Sequence, residues 1–325
     1  MLKPLVSILI PVYNGFETIE KAIQSCIIQT YSNFELLIYN DGSKDNTKQI
    51  IQKFYDSRIV FIDSTTNQGI VFSRNQLLKI AKGDFIAWLD ADDCMMPNRL
   101  EKQLSFFDEN SHIDICGSWM YVKNSHNESL QIAKTICDTD LIKTALWFKN
   151  YIFQPTIMSR NFYMKENIFY NERFNNVAED YALWIDLMNQ KNFANISEPL
   201  IIYNQLNQED FFKKQIKLNL EDKLKLIWEE KWQLLTTPIN LKERRLFEIF
   251  VYKNEKLKLN EIKNLLNVLS IFNESFNQSN YAKLMIAYHK CRIFRNAFFM
   301  GKLLHIKLLL SFRYYYHFKK VFLVK

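Results

Sequence analysis

Two periods of apolar spacing take turns along the first ninety residues. Val6–Val12 (VSILIPV) is a short, β-branched and almost unbroken apolar run, the pattern of a strand buried on both faces. After the turn Tyr13-Asn14-Gly15, the segment Glu17–Gln29 sets Ile19, Ala22, Ile23, Cys26 and Ile27 at helical spacing. Phe34–Tyr39 predicts a second strand, broken by Asn40-Asp41-Gly42-Ser43, and Asp45–Phe54 a second helix. Arg58–Ile62, Gly69–Ala81 and Asp84–Leu89 continue as strand, helix and strand. Strands alternating with helices imply a parallel sheet with right-handed crossovers, which is the α/β class.

The polar signals fall at equivalent places in this pattern. Tyr13-Asn14, Asp41 and Asp90-Ala91-Asp92-Asp93 each follow the carboxyl end of a predicted strand. Ligands of open α/β sheets bind at that edge. Asp90, Asp92 and Asp93 put three carboxylates within four residues, and these repel one another unless a cation is shared or solvent screens them. Hard oxygen ligands of this kind suit Mg²⁺ or Mn²⁺, held together with substrate phosphates. The alternative is an acidic loop capping the next helix, with Pro97 in its first turn.

Composition narrows the class. With 48% hydrophobic and 24% charged residues over 325 positions, the chain is a folded globular protein. Its five cysteines are scattered without paired spacing, which predicts a reducing compartment rather than a disulfide framework or zinc ribbon. The amino-terminal apolar run is short and closed by Pro11, and no run reaches the length of a membrane span. Cytoplasmic residence is the expectation.

Taken in order, Pro11-Val12-Tyr13-Asn14, Asn40-Asp41-Gly42-Ser43, Arg74-Asn75 and Leu89-Asp90-Ala91-Asp92-Asp93 resemble the motifs of the family 2 glycosyltransferases of the GT-A fold. Glu179-Asp180 followed by Leu183-Trp184 is similar to that family's ED motif, and the resemblance covers about residues 4–205. It implies a Rossmann-like, mostly parallel central sheet and an inverting hexosyl- or N-acetylhexosaminyltransferase. The donor would be a UDP-sugar or another nucleotide sugar, and the acceptor a glycan.

Site roles follow from the resemblance alone. Val12, Tyr13, Asn14, Asp41, Arg74, Asp90 and Ala91 would line the nucleotide sugar, with Tyr13 and Asp41 at the base and Asp90 at the ribose. Asp92 and Asp93 would serve the metal, Asp180 would be the general base, and Glu179 would position acceptor or donor. Plainer readings stand beside these. Tyr13 and Asp41 suit turns, Arg74 suits a solvated helix face, and Glu179-Asp180 suits the start of a helix over Tyr181–Asn189. Many relatives carry Tyr-Arg-x-His after the ED helix, whose histidine helps to bind the metal. Here the matching stretch is Tyr203-Asn204-Gln205-Leu206, and that carry-over fails. Trp119, Trp147, Tyr151 and Phe153 are equally suited to stacking on sugars and to a core.

Charge divides the chain. Residues 211–325 hold 23 Lys and Arg against 9 Asp and Glu, whereas residues 1–210 are net acidic. The expected organisation is a glycosyltransferase domain over 1–209 and a basic helical region over 210–325. Leucine- and lysine-rich patterning runs through Lys213–Leu235 and Asn260–Phe272, and Arg292, Arg295, Lys302 and Arg313 share one helical face. That face suits an anionic membrane surface, which would place the protein peripherally on the inner side of the membrane beside a lipid-linked acceptor. A homo-oligomeric packing domain is the alternative. No recognised nucleic-acid motif accompanies the charge, so nucleic acid is not an expected partner.

Other functions fit less well. A dehydrogenase needs Gly-x-Gly-x-x-Gly after the first strand, and a nucleotidyltransferase a glycine-rich, arginine-bearing loop; the sequence has neither. A catalytically inactive glycan-binding scaffold within a membrane-associated complex is the remaining alternative, against which Asp90, Asp92 and Asp180 are all present.

Overall fold

A computed structural model gives the structure of the protein and describes residues 3–124, 129–175 and 177–205, with short stretches at 223–227, 229, 231–233, 239–248, 264–265 and 268–269. The predicted helix Lys213–Leu235 is described only in part. The basic face from Arg292 to Arg313 lies outside the described residues.

Nine strands and eight helices follow along the described chain. They are β1 (Val6–Val12), α1 (Ile19–Ile27), β2 (Phe34–Asn40), α2 (Thr47–Ile51), β3 (Ile59–Asp63), α3 (Ile70–Ile80), β4 (Phe85–Trp88), β5 (Cys94–Met95) and α4 (Arg99–Glu109), then β6 (Ile115–Asn124), β7 (Leu130–Ala133), α5 (Thr139–Ala145), β8 (Met158–Arg160), α6 (Tyr163–Glu166), α7 (Glu179–Leu187), β9 (Phe193–Gln205) and α8 (Leu241–Glu248). All strands join one sheet in the order β3-β2-β1-β4-β8-β6-β9-β5, with β7 added on β6.

The first four strands pair in parallel, as the alternation of strand and helix requires. Every residue of β1 is buried, which its two-sided apolar run predicts. Ile19, Ala22, Ile23 and Cys26 of α1 complete that side of the core. Helix α2 is shorter than the expected Asp45–Phe54, because Asp45 folds back to accept from Thr47 N and Oγ1 at 3.0 and 2.5 Å. Such an Asx turn competes with helix at its own position.

Beyond β4 the sheet becomes mixed. β8 runs antiparallel to β4 and to β6, β6 and β9 pair in parallel over a long register, and β5 pairs antiparallel with the far part of β9. β5 interrupts the passage from Asp93 to α4, whose N-cap is Asn98. The acidic residues therefore do not cap that helix.

The described residues fall into two compact units, one drawn from residues 1–139 and 152–223 and the other from 140–151 and 224–325. In the second, Trp147, Trp232, Phe148 and Phe247 form an aromatic cluster with ring centroids 5.6–6.2 Å apart. This gives Trp147 a core role rather than an exposed sugar-stacking one. No helix among the described residues is long and apolar enough to cross a membrane.

Candidate active site

The parallel register brings three loops to one edge of the sheet. Val12 pairs with Asn40 and Leu9 with Trp88, so the segments after β1, β2 and β4 leave side by side. A methyl placed at Gly15 would lie 3.9 Å from the Ala91 Cβ and 2.7 Å from Val12 Cγ2, which shows how closely the first and third loops approach.

The first two loops are stitched together by side chains acting on backbone. Asn14 N donates to Ser43 Oγ, Lys44 N to Asn14 Oδ1 and Gly15 N to Thr47 Oγ1, each at 2.8 Å. Asn14 takes a left-handed backbone, with φ 50°, a conformation that asparagine tolerates better than most residues. Tyr13 stands beside it with 49% of its surface exposed, its ring open to a planar partner. Asp41 is buried, and its two oxygens accept from Gln68 N at 2.9 Å and Gly69 N at 2.7 Å. The carboxylate thus satisfies donors at the start of α3, where the helix dipole also favours negative charge.

Arg74, on α3, is 4% exposed and projects to the centre of the edge. Its Nη1 donates to Glu179 Oε1 at 2.6 Å and its Nη2 to Asp90 Oδ1 at 3.4 Å. The Trp88 and Tyr170 rings lie 5.8 and 5.3 Å from the guanidinium carbon. Burial opposes the Arg74 charge, but Glu179, Tyr170 and Asp90 more than offset it, and the net shift is upward. The solvated helix-face reading of Arg74 does not hold. The guanidinium instead joins the β4 loop to the start of α7.

Helix α7 begins immediately after Ala178, whose φ of 58° is unusual for a residue other than glycine. That left-handed turn puts Glu179 and Asp180 in the first helical turn, so the helix starts two residues earlier than the expected Tyr181–Asn189. Strain of this kind concentrates at ligand-handling positions. Asp180 Oδ1 accepts from Tyr181 N at 2.7 Å.

The loop after β4 crowds three carboxyl groups together. Burial and the neighbouring Asp90 push Asp92 up to about 6. Asp93 is fully buried and is raised well above the usual carboxylate range by burial, Asp90 and Asp92. Its Oδ1 accepts from Asn204 N at 3.0 Å, whereas its buried Oδ2 has no hydrogen-bond partner. Asp90 is also raised, by burial and Glu179 working against Arg74.

Such a set fits a hard divalent cation. An orphaned carboxylate oxygen and mutually repelling acids are what a bound cation relieves. Among the described residues no group of three or more His, Cys, Asp or Glu side chains is arranged to hold a metal ion. A cation at this loop would rely on one or two carboxylates with phosphate and water, as Mg²⁺ and Mn²⁺ commonly do.

Comparison with known proteins decides the family. Residues 7–169 match the profile described as Glycosyl transferase family 2. The chain belongs to that family. An uncharacterised glycosyltransferase of Methanocaldococcus jannaschii is 33% identical to this glycosyltransferase over 239 residues, covering 71% of this chain and 82% of the relative. The UDP-Glc:alpha-D-GlcNAc-diphosphoundecaprenol beta-1,3-glucosyltransferase WfgD of Escherichia coli is 32% identical over 195 residues, covering 59% of this chain and 73% of that enzyme. Among solved structures, S. aureus TarS 1-349 in complex with UDP-GlcNAc superposes with a TM-score of 0.59 at 20% identity, covering 92% of this chain and 93% of TarS. That likeness is one of fold, and it agrees with the expected GT-A architecture.

Within the glycosyltransferase, the sequence-predicted residues form two groups on one edge. Val12, Tyr13, Asn14 and Asp41 belong to the stitched pair of loops, and Asp90, Ala91, Asp92 and Asp93 to the loop after β4. Glu179 joins the second group through Arg74, and Asp180 follows it in the first turn of α7. Three supporting residues escaped sequence reasoning. Asn175 holds the start of α3 by accepting from Val71 N at 3.2 Å. Arg99, fully buried, donates to the carbonyls of Trp88 and Ile157 at 2.9 and 3.0 Å, tying β4 to the approach to β8. Asn204 grips the acidic loop. Only an apolar helix-start pattern with a charged residue inside it, as at Arg99, leaves any trace in the sequence.

Proposed function

We propose that this glycosyltransferase moves a hexose or N-acetylhexosamine from a UDP-sugar, with inversion, onto a glycan acceptor of a bacterial surface polysaccharide or lipooligosaccharide. The observation that carries the reading is the Arg74 bridge. It holds Asp90, on the nucleotide-side loop, and Glu179, next to Asp180, on one guanidinium at 3.4 and 2.6 Å. Donor and acceptor chemistry then share a single rigid support. The names of WfgD, a UDP-glucose enzyme acting on a lipid diphosphate, and of the TarS complex with UDP-GlcNAc point to the same class of donor.

The Tyr13 ring stacks on the uracil, and Asp41, fixed by the start of α3, accepts from it. Asp90 engages the ribose. Asp92 and Asp93 hold Mn²⁺ or Mg²⁺, which supplies Lewis-acid stabilisation of the diphosphate leaving group when bound. Asp180 takes the acceptor hydroxyl proton while the acceptor oxygen bonds to the anomeric carbon and the anomeric carbon–phosphate oxygen bond breaks. The bonding pair leaves with the UDP. Glu179, ion-paired with Arg74, orients the sugars. Residues 1–209 form the catalytic domain in this reading. The basic residues 210–325 serve peripheral attachment to an anionic membrane or self-association.

The test uses the full chain with a panel of nucleotide sugars and Mn²⁺, measuring nucleotide release. One donor should be hydrolysed slowly, and the signal should vanish with EDTA and in Asp92→Ala. Added acceptor should accelerate release in the parent and not in Asp180→Asn. If no donor is cleaved or bound, by calorimetry as well as release, the reading fails and an inactive glycan-binding scaffold replaces it.

A further inference from the structure

We infer that Asn204 is a positioning residue for the acidic loop, holding Asp92 and Asp93 in their ligand-ready shape from the opposite strand. The inference rests on the reading of that loop as the cation and diphosphate site.

The geometry follows from the register of two short antiparallel partners. Cys94 lies opposite Ile202 and Met95 opposite Ile201. Continued two residues further, the same register sets Asn204 opposite Asp92. Regular ladder bonding does not continue that far. Asn204 instead donates its backbone N–H to the Asp93 side chain, at 3.0 Å to Oδ1, and its side-chain Nδ2 to the Asp92 carbonyl, at 2.5 Å. One residue therefore fixes both the side chain of Asp93 and the main chain of Asp92.

This double grip has a consequence for Asp92. Its backbone carbonyl is committed to Asn204, while its carboxylate stays only partly buried. Asp93, with one oxygen on Asn204, leaves its second buried oxygen without a hydrogen-bond partner. The two carboxylates are thereby split between support and ligand binding. Tyr203, next along β9, has its hydroxyl raised by burial and by Asp93, Asp92 and Asp90, which places it beside the same loop. The sequence has Leu206 where many relatives carry a histidine, and Asn204, two residues earlier, supplies the hydrogen-bonding strap.

Supporting groups behind metal ligands typically govern affinity by about 10- to 100-fold. The test is Mn²⁺ binding by electron paramagnetic resonance on the full chain, with and without UDP, for the parent, Asn204→Ala, Asn204→Ser and Asn204→His. In Asn204→Ala the Mn²⁺ dissociation constant should rise about tenfold, and UDP binding in EDTA should stay at its parental value. Asn204→His, which keeps a ring N–H donor near the position of Nδ2, should recover most of the Mn²⁺ affinity. Equal Mn²⁺ affinity in the parent and Asn204→Ala overturns the inference while leaving the site reading intact. If Asn204→Ala fails to fold, the decision passes to Asn204→Ser, whose side chain is too short to reach the Asp92 carbonyl: parental Mn²⁺ affinity in that variant also overturns the inference. Absence of Mn²⁺ and UDP binding in the parent overturns the site reading, and the inference falls with it.

Discussion

The loop after β2 and the loop after β4 leave the same edge of one sheet, and both put aspartate there, yet they treat the carboxylate in opposite ways. Asp41 is anchored: each oxygen accepts one backbone N–H from the start of α3, which leaves each a further lone pair for the proposed base. Asp92 and Asp93 are not held in this way. Burial and mutual repulsion raise both, and Asp93 keeps a buried oxygen with no hydrogen-bond partner. A carboxylate anchored to the chain through both oxygens supports the edge as well as a ligand, and one that keeps a buried oxygen unengaged is set for a cation. The two loops should therefore fail differently when cut.

The largest effect is expected at Asp92. Removing its carboxylate in Asp92→Ala should lower donor turnover by about 10²–10³-fold, the usual cost of deleting one group that stabilises a leaving charge. Thermal stability should hold or rise slightly, because one member of a repelling cluster is gone. A melting temperature that falls with turnover would assign Asp92 to the scaffold and erase the contrast. Asp41→Ala inverts the pattern. Gly69 N loses its acceptor inside the protein, at about 1–3 kcal/mol, and the part-buried Gln68 N loses one as well. Denaturant unfolding should show this loss in the absence of any nucleotide. Unchanged stability would mean that Asp41, too, is held for the ligand rather than for the fold.

How far the sequence could be read follows the same division. VSILIPV announces β1, and the alternation through Phe85 yields a parallel half-sheet whose edge collects Tyr13, Asp41 and Asp90–Asp93. These elements are local: periodicity and turn residues specify them without knowledge of the rest. The supports are not local. Arg74 meets Glu179 across 105 positions and Asn204 meets Asp92 across 112, distances set by a mixed sheet that no periodicity reveals. The antiparallel half was hidden for the same reason, since β5 spans two residues and β8 three. Hence the ligand-facing residues were legible as motifs, while the residues that aim them were legible only as pairs in space.

Gly69 tests the scaffold side of the contrast from the backbone. It sits at φ 93° and ψ 167°, and a methyl there would lie 2.2 Å from the Asn175 amide nitrogen. Gly69→Ala should cost about 1–3 kcal/mol, the range for a residue forced into a conformation that only glycine takes readily. Its N–H is one of the two held by Asp41, so the losses in Gly69→Ala and Asp41→Ala should be less than additive in the double variant. Full additivity, measured by denaturant titration of the three proteins, would separate the Asp41 carboxylate from the turn it is thought to hold.

The smallest effect comes from an aspartate at the opposite edge of the sheet, just before β3. Asp56 pairs with Arg58 through Oδ2 at 2.7 Å and Oδ1 at 3.0 Å and also accepts from Arg58 N at 2.9 Å. Those hydrogen bonds hold its carboxyl down at about 2. A depressed folded value means the pair stabilises the protein above the unfolded aspartate value near 3.9 and loses that contribution as pH falls toward 2. Asp56→Asn should therefore weaken the protein at pH 7 by less than about 1 kcal/mol, the range for solvent-exposed ion pairs, and by progressively less in acid. Salt should shrink the difference further, whereas the Asp41→Ala loss, which comes chiefly from the buried neutral Gly69 N–H, should be insensitive to salt. Stability curves at low and high salt for these two variants distinguish a carboxylate held by a surface cation from one held by buried backbone. If both losses respond equally to salt, the Asp41 contacts act as surface electrostatics, and the division between anchored and waiting carboxylates must be drawn on charge alone.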